Sequence, residues 1–215
     1  MSEMPMRRCS SFLLPLLALM LAGGCSSGNK SGNSETATTA TTAAKPAAQL
    51  DTGRVAFQRM YAAARMWAPD AQPAHLESEI TKASDGADGK AAVWRATFAS
   101  VSRRSVKSFV WSGVDEDDAP SAGVTPGSED TYSPSNASLQ AFDVAYIKVD
   151  SDKAYSVAKG KLKKGAADKP VKYGLSYDAR GRAPVLTWTV SFGEHPDETT
   201  IDVDGTTGAY IRTEK

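Results

Sequence analysis

Residues 91–98, AAVWRATF, and residues 184–192, PVLTWTVSF, decide the fold of this chain. In each, a large or apolar side chain recurs at every second position: Trp94, Ala96 and Phe98 in the first, Trp188, Val190 and Phe192 in the second. Period two is the signature of a strand with one face buried. Sliding the chain on itself by 94 residues superposes the two faces in phase and aligns Tyr61 with Tyr155 and Ala64 with Ala158.

Working outward from these strands, a helix precedes each set. Phe57, Met60, Tyr61, Ala64 and Trp67 recur at helical spacing, with Thr52 placed to cap the start and Pro69 to stop it. A second helix is expected from Ser151, with Ala154, Tyr155, Ala158 and Leu162 on one face. Further strands are predicted at 76–82, 105–112, 171–178, 198–204 and 209–213, and Phe142, Val144 and Tyr146 suggest a linking strand. The stretches 84–90, around Asp178, and 204–208 carry the Gly and Asp chemistry of turns. The expectation is an α+β fold of two tandem helix-plus-antiparallel-sheet units in two layers. The first unit covers 51–138 and the second 139–215, with a favoured internal repeat.

The first 50 residues belong to neither unit. Arg7 and Arg8 precede a ten-residue apolar run, 12–21, and small residues follow as far as Cys25. A spanning helix needs about 20 apolar residues, so 1–24 reads as an export signal. Residues 21–25, Leu-Ala-Gly-Gly-Cys, resemble the lipobox of bacterial lipoproteins, in which the cysteine is acylated and becomes the new N-terminus. That resemblance implies lipidation at Cys25 and a location outside the cytoplasmic membrane. With Ser26 next, it also implies the periplasmic face of an outer membrane where the organism has one. Residues 25–50, mostly Ser, Thr, Ala, Gly and Asn, lack the apolar surface to offset chain ordering and read as a disordered tether.

The whole chain holds 25 basic and 25 acidic side chains in 215 residues. That balance excludes a generally basic nucleic-acid binder. Loss of Cys9 with the signal leaves Cys25 alone, so no internal disulfide is available. The neutral total hides a polarity along the sequence. Between Lys107 and Lys148 there are seven acidic residues and no basic one, whereas Lys159, Lys161, Lys163, Lys164 and Lys169 crowd the end of the second helix.

Residues 150–212, with the short helix SDKAYSVAKGKL, the strand TWTVSF and the terminal TIDVDGTTGAYIR, resemble a PepSY-type domain. Val203, Asp204, Thr207 and Gly208 match the family's closing strand, turn and strand. The first unit matches in outline only, since Ser112 and Gly113 stand where that hairpin would be. The resemblance implies an extracytoplasmic, non-catalytic module of a kind proposed to bind or restrain secreted peptidases. The paired units also resemble, in architecture alone, the fold of the beta-lactamase inhibitor protein, whose concave sheet grips another protein.

Chemistry-bearing motifs are sparse. His75 and His195 lack the spacing of a zinc helix and read as surface-loop residues. There is no nucleophile elbow, phosphate loop or dinucleotide fingerprint. Ser156 and Lys159 form a Ser-x-x-Lys pair without its partner motifs, and 115–118 lacks the alternation and glycine of a calcium loop. No enzyme activity, cofactor or metal is predicted. The candidate binding residues are Trp111, expected to be exposed beside a long acidic loop over 114–138, with Asp115 and Asp117, and the basic cluster Lys161, Lys163 and Lys164. The expected partners are the membrane, through the lipid, and an envelope or secreted protein. The competing reading is a small molecule or envelope polymer bound in a cleft between the units.

Overall fold

A computed structural model describes residues 47–117, 119–162, 168–180 and 183–214. Cys25, the signal, nearly all of the tether, Lys163 and Lys164 lie outside these residues. In chain order the elements are β1 (Asp51–Thr52), α1 (Gly53–Trp67), β2 (Gln72–Glu79), β3 (Lys90–Ala91), β4 (Val93–Ser100), β5 (Ser105–Ser112) and β6 (Gly123–Thr131). Then follow α2 (Ser151–Lys159), β7 (Val171–Asp178), β8 (Val185–Phe192), β9 (Thr199–Asp204) and β10 (Tyr210–Glu214). The result is a mixed α+β fold in which both helices lie on one large antiparallel sheet.

The sheet has eight strands in the order β10-β9-β8-β7-β2-β4-β5-β6. Each half is therefore a helix followed by a four-stranded meander, and the first strands of the two meanders, β2 and β7, meet at the centre. They pair over only two positions, Leu76 with Leu175 and Glu77 with Gly174. The Ser78 hydroxyl takes up the next free donor, accepting from the Tyr173 amide at 2.9 Å.

Alternation then sorts the side chains. On the inner face a row of direct neighbours runs Val203, Trp188, Leu175, Leu76, Ala96 and Phe109 across six strands, all of them buried. The helices cover this face. Phe57 and Tyr61 of α1 pack on Phe98, and Tyr155 of α2 packs on Phe192. At about 25 cal/mol per Å² of buried apolar surface, this shared core is the main stabilising term of the fold.

Two interlocks join the halves at the helix starts. The indoles of Trp94 and Trp188 meet edge to face, 6.4 Å between centroids. Trp94 Nε1 donates to the Asp51 carbonyl and Trp188 Nε1 to the Val149 carbonyl, both at 3.0 Å, so each tryptophan holds the chain two residues ahead of a helix. The turn after β2 inserts against the second half as well. Tyr173 Oη donates to the Gly86 carbonyl at 2.6 Å and accepts from the Gly89 amide at 3.1 Å, while Ser151 Oγ donates to the Gly89 carbonyl at 2.6 Å. Burial raises the Tyr173 hydroxyl far above its usual range, keeping it the neutral donor that this joint needs.

Several expectations are corrected. The segment 114–138 is not one long loop: Gly123–Thr131 forms β6, hydrogen-bonded along β5. Val144–Tyr146 is a turn of 3₁₀ helix capped by Asp143, not a strand. The Thr52 side chain makes no cap to its own helix. The gapless 94-residue alignment holds for strands β4 and β8 and fails at the helices. Trp94 and Trp188 do correspond, each donating to the carbonyl two residues ahead of a helix. The helices, however, start at Gly53 and Ser151, 98 residues apart, so Phe57, packed on Phe98, rather than Tyr61 takes the place of Tyr155, packed on Phe192. A shift of four residues keeps a helical side chain on nearly the same face, and helical spacing alone does not detect it.

Candidate functional site

The face of the sheet opposite the helices carries a second row, one residue from each strand in direct register: Arg212, Asp202, Thr189, Gly174, Glu77, Arg95, Val110 and Thr125. At the β4–β5 end it is covered, since Val93 and Val110 are buried with Val114 against Ala83 and Ala119. From β4 toward β10 no described element packs over it, and Thr97, His75, Ser176, Thr189 and Ser191 stay half-exposed. This uncovered, polar part of the sheet is the candidate site.

Its centre is a shallow groove of about 270 Å³ along the β2–β7 seam, lined by His75, Glu77, Lys172, Gly174, Thr189 and Ser191 among others. His75 Nε2 lies 3.4 Å from Glu77 Oε2, close enough for the Nε2–H tautomer to donate. Arg95 stands on the neighbouring strand with Nη2 2.6 Å from Glu79 Oε1 and Nε 3.7 Å from Glu77 Oε1. The hydrogen bond from His75, aided by the charges of His75 and Arg95, holds Glu77 below the usual carboxylate range against its partial burial.

The β10 side of the face is tied by an ionic clamp. Asp202, fully buried, accepts from Thr189 Oγ1 and Arg180 Nη2, both at 3.1 Å, and is ion-paired with Arg212 Nη2 at 2.6 Å. Arg212 also binds Asp178, and its Nε donates to Glu214 Oε1 at 2.8 Å. Hydrogen bonds from Arg180 and then Arg212 hold Asp178 well below the carboxylate range. Burial pushes Asp202 upward, opposed chiefly by Arg212. Asp178 and Arg212 belong to strands β7 and β10, separated by β8 and β9. With strands about 4.8 Å apart, an arginine reaches that far only where the sheet curls, so this end of the face is concave.

The residues expected from the sequence fall elsewhere. Trp111 is not exposed: only 2% of it is accessible, with Arg59 over its ring at 5.4 Å. Asp115 and Asp117 are exposed in the loop after β5. Lys161, also exposed, lies with Nζ 4.9 Å from the ring of Tyr210 on β10, the opposite edge of the sheet. Among the described residues, Lys161 is therefore not brought to the acidic candidates. His75 is a strand residue and His195 an exposed turn residue, and among the described residues no group of His, Cys, Asp or Glu could hold a metal. Ser156 Oγ donates to the Asp152 carbonyl at 2.9 Å, and the neighbouring Tyr155 raises Lys159 above its ordinary value, so this lysine is not poised as a base. The one signal that could have found the uncovered face is polar alternation: Thr187, Thr189 and Ser191 interleave with Trp188, Val190 and Phe192.

No family model matches the chain. No curated protein matches it. Among solved structures, the crystal structure of a provisionally named lipoprotein from Clostridium difficile 630 is similar, with a TM-score of 0.50 and 14% identity over 76% of this chain and 94% of that one. At that identity the likeness concerns the fold, and it spans nearly the whole of the other protein. Among the described residues no helix is long and apolar enough to cross a membrane.

Proposed function

We propose that this chain is a lipoprotein, anchored through acylated Cys25 outside the cytoplasmic membrane, that displays a non-catalytic protein-binding or regulatory domain. Its two halves, each a helix and a four-stranded meander, are read as tandem units, the second PepSY-like and the first a degenerate copy. The lipobox at 21–25 supports the anchor. So does the fold-level likeness to a protein provisionally named a lipoprotein. The PepSY likeness turns the regulatory version toward restraint of a secreted peptidase.

The observation that carries the binding role is the uncovered sheet face. A sheet with helices on one side leaves the other free for a partner, and a polar, hydroxyl-rich surface with paired charges suits a reversible protein interface. Small-molecule binding is the weaker reading. The central groove, at about 270 Å³, is shallow and lined mostly by polar residues, whereas ligand pockets are concave, lined mainly by apolar and aromatic side chains and about 300–1,000 Å³.

Two measurements test this. Cys25→Ser is expected to abolish acylation and release the protein from membranes; a variant that stays acylated and bound overturns the anchor. A photo-crosslinking side chain at Thr189, on the uncovered face, is expected to capture a protein in the envelope that the same probe at Gln58, exposed on α1, does not. Equal capture at both, or capture at Gln58 alone, overturns the role of the face.

A further inference from the structure

Gly174 sits at the midpoint of the uncovered face, in the interior of β7 and at the shortest strand pairing of the sheet. Glycine there weakens a strand relative to alanine, because it costs more backbone entropy and has no side chain to pack. Nothing in the fold asks for it. Its backbone is not among the left-handed glycines, and a Cβ would lie 3.9 Å from both His75 Cε1 and Thr189 Cβ, ordinary contact distances. Gly89 and Gly113 differ in kind, since a Cβ on either would run into backbone at 2.3 and 2.0 Å. Gly174 pairs with Glu77, and the His75 ring lies diagonally beside it, so the glycine leaves a notch next to the imidazole.

A strand-interior glycine often marks the close approach of another backbone or a ligand, and no described neighbour within the fold makes that approach at Gly174. The rim says what kind of partner fits. Lys172 and Glu198 line the groove, and neither side chain has an ion pair or hydrogen bond with any described residue. The wall opposite is the His75–Glu77 pair, and hydroxyls of Ser176, Thr189 and Ser191 lie between. Both charge signs are present and no aromatic face is offered, which disfavours a nucleic acid or other polyanion. A polypeptide segment satisfies all of it.

We propose that Gly174 is the landing point for the backbone of a partner protein's extended segment, with an acidic residue of that segment meeting Lys172 and a basic residue meeting Glu198. This rests on the reading of the uncovered face as a protein-binding surface. The probe is a displayed library of random peptide segments, selected on the full-length protein. Selected segments are expected to place an acidic and a basic residue on either side of a small one, and the double variant Lys172→Glu, Glu198→Lys is expected to select the reversed order. Gly174→Ala is expected to melt no lower than the parent yet to bind the selected segments about tenfold more weakly, a change of about 1.4 kcal/mol. Gly174→Val serves as the stronger block where it folds.

Gly174→Ala binding equally well, a selection indifferent to the charge exchange, or no enrichment on the parent overturns the proposal. If crosslinking at Thr189 still captures a protein in those cases, the face binds by another geometry and only the landing point falls. If both fail, the binding role falls with it.

Discussion

Thr52 and Asp150 lie 98 residues apart, and the hydroxyl of the first donates to Oδ2 of the second at 2.7 Å. The other carboxylate oxygen accepts from the backbone amides of Arg54 at 2.9 Å and Ser151 at 2.7 Å. Arg54 is in the first turn of α1 and Ser151 starts α2, so one aspartate satisfies free donors at the start of both helices. Helix N-termini attract negative charge, and here two of them share it.

Asp150→Ala is therefore expected to cost more than one lost cap. At about 1 kcal/mol per cap, with the Thr52 hydroxyl left unpaired as well, the loss is about 2–3 kcal/mol in urea unfolding. Asp150→Asn keeps an acceptor but loses the charge and is expected to fall between. A loss of only a few tenths for Asp150→Ala would show that the two helix starts are held by other contacts.

Gly53→Ala sets two effects against each other. Alanine favours a helix interior over glycine by about 1 kcal/mol. A Cβ at residue 53, however, would sit 2.7 Å from Cη2 of Trp188 and 3.1 Å from Cη2 of Trp94. Overpacking a close-packed core costs about 1–3 kcal/mol, and neither ring can retreat while its Nε1 is hydrogen-bonded ahead of a helix. Net destabilisation is expected, with a shift in tryptophan fluorescence. A higher melting temperature would mean that the rings yield freely.

The elements that sequence periodicity reveals are those whose faces differ. The strand at 171–178 is legible to the residue because its apolar positions alternate, and that at 105–112 because Val106, Phe109, Val110 and Trp111 are strong strand formers. β6 is not, since all nine residues of GVTPGSEDT are exposed at the sheet edge and no buried face imprints a pattern on them. Its Pro126 further disguises it, though an edge strand tolerates proline. His75 falls just outside the strand expected at 76–82, and its lack of metal-ligand spacing points to a surface loop. The structure instead carries β2 back to Gln72 through an irregularity between Pro73 and His75. The uncovered face was illegible for a different reason: half-exposed threonines and serines look the same whether they face solvent or a partner.

Asp70 gives the acid limb of stability a specific origin. Its carboxylate accepts from Ser100 Oγ at 2.7 Å, Ser102 N at 2.9 Å and Ser102 Oγ at 2.9 Å, and these bonds, that from Ser100 foremost, lower its pKa from 3.8 to about 2. Because the folded value lies below the unfolded one, the stabilisation is fully present above the unfolded value and is lost as pH falls through the folded one. Unfolding followed between pH 5 and pH 2, roughly the window that these values set, is expected to show stability declining with acid. Asp70→Asn is expected to flatten that decline while leaving the remainder due to Asp178, which Arg180 and Arg212 also hold low. An unchanged pH profile in Asp70→Asn would locate the acid sensitivity elsewhere.

Trp111 separates stability from recognition. Were it an exposed anchor, as its place beside the acidic loop suggests, Trp111→Ala would abolish binding and leave folding alone. It is instead buried at the end of β5, with the Arg59 guanidinium over its ring and Arg59 Nη2 paired to Asp51 Oδ2 at 3.0 Å. Emptying a large aromatic site in a core costs about 3–5 kcal/mol, a large part of the stability of about 5–15 kcal/mol typical of folded proteins. Trp111→Ala is expected to lower the melting temperature sharply and Trp111→Phe to recover most of it. Any binding lost in the alanine variant should return with the phenylalanine one, because the fold and not the indole supplies it. A phenylalanine variant that folds normally but binds nothing would restore Trp111 as a contact residue.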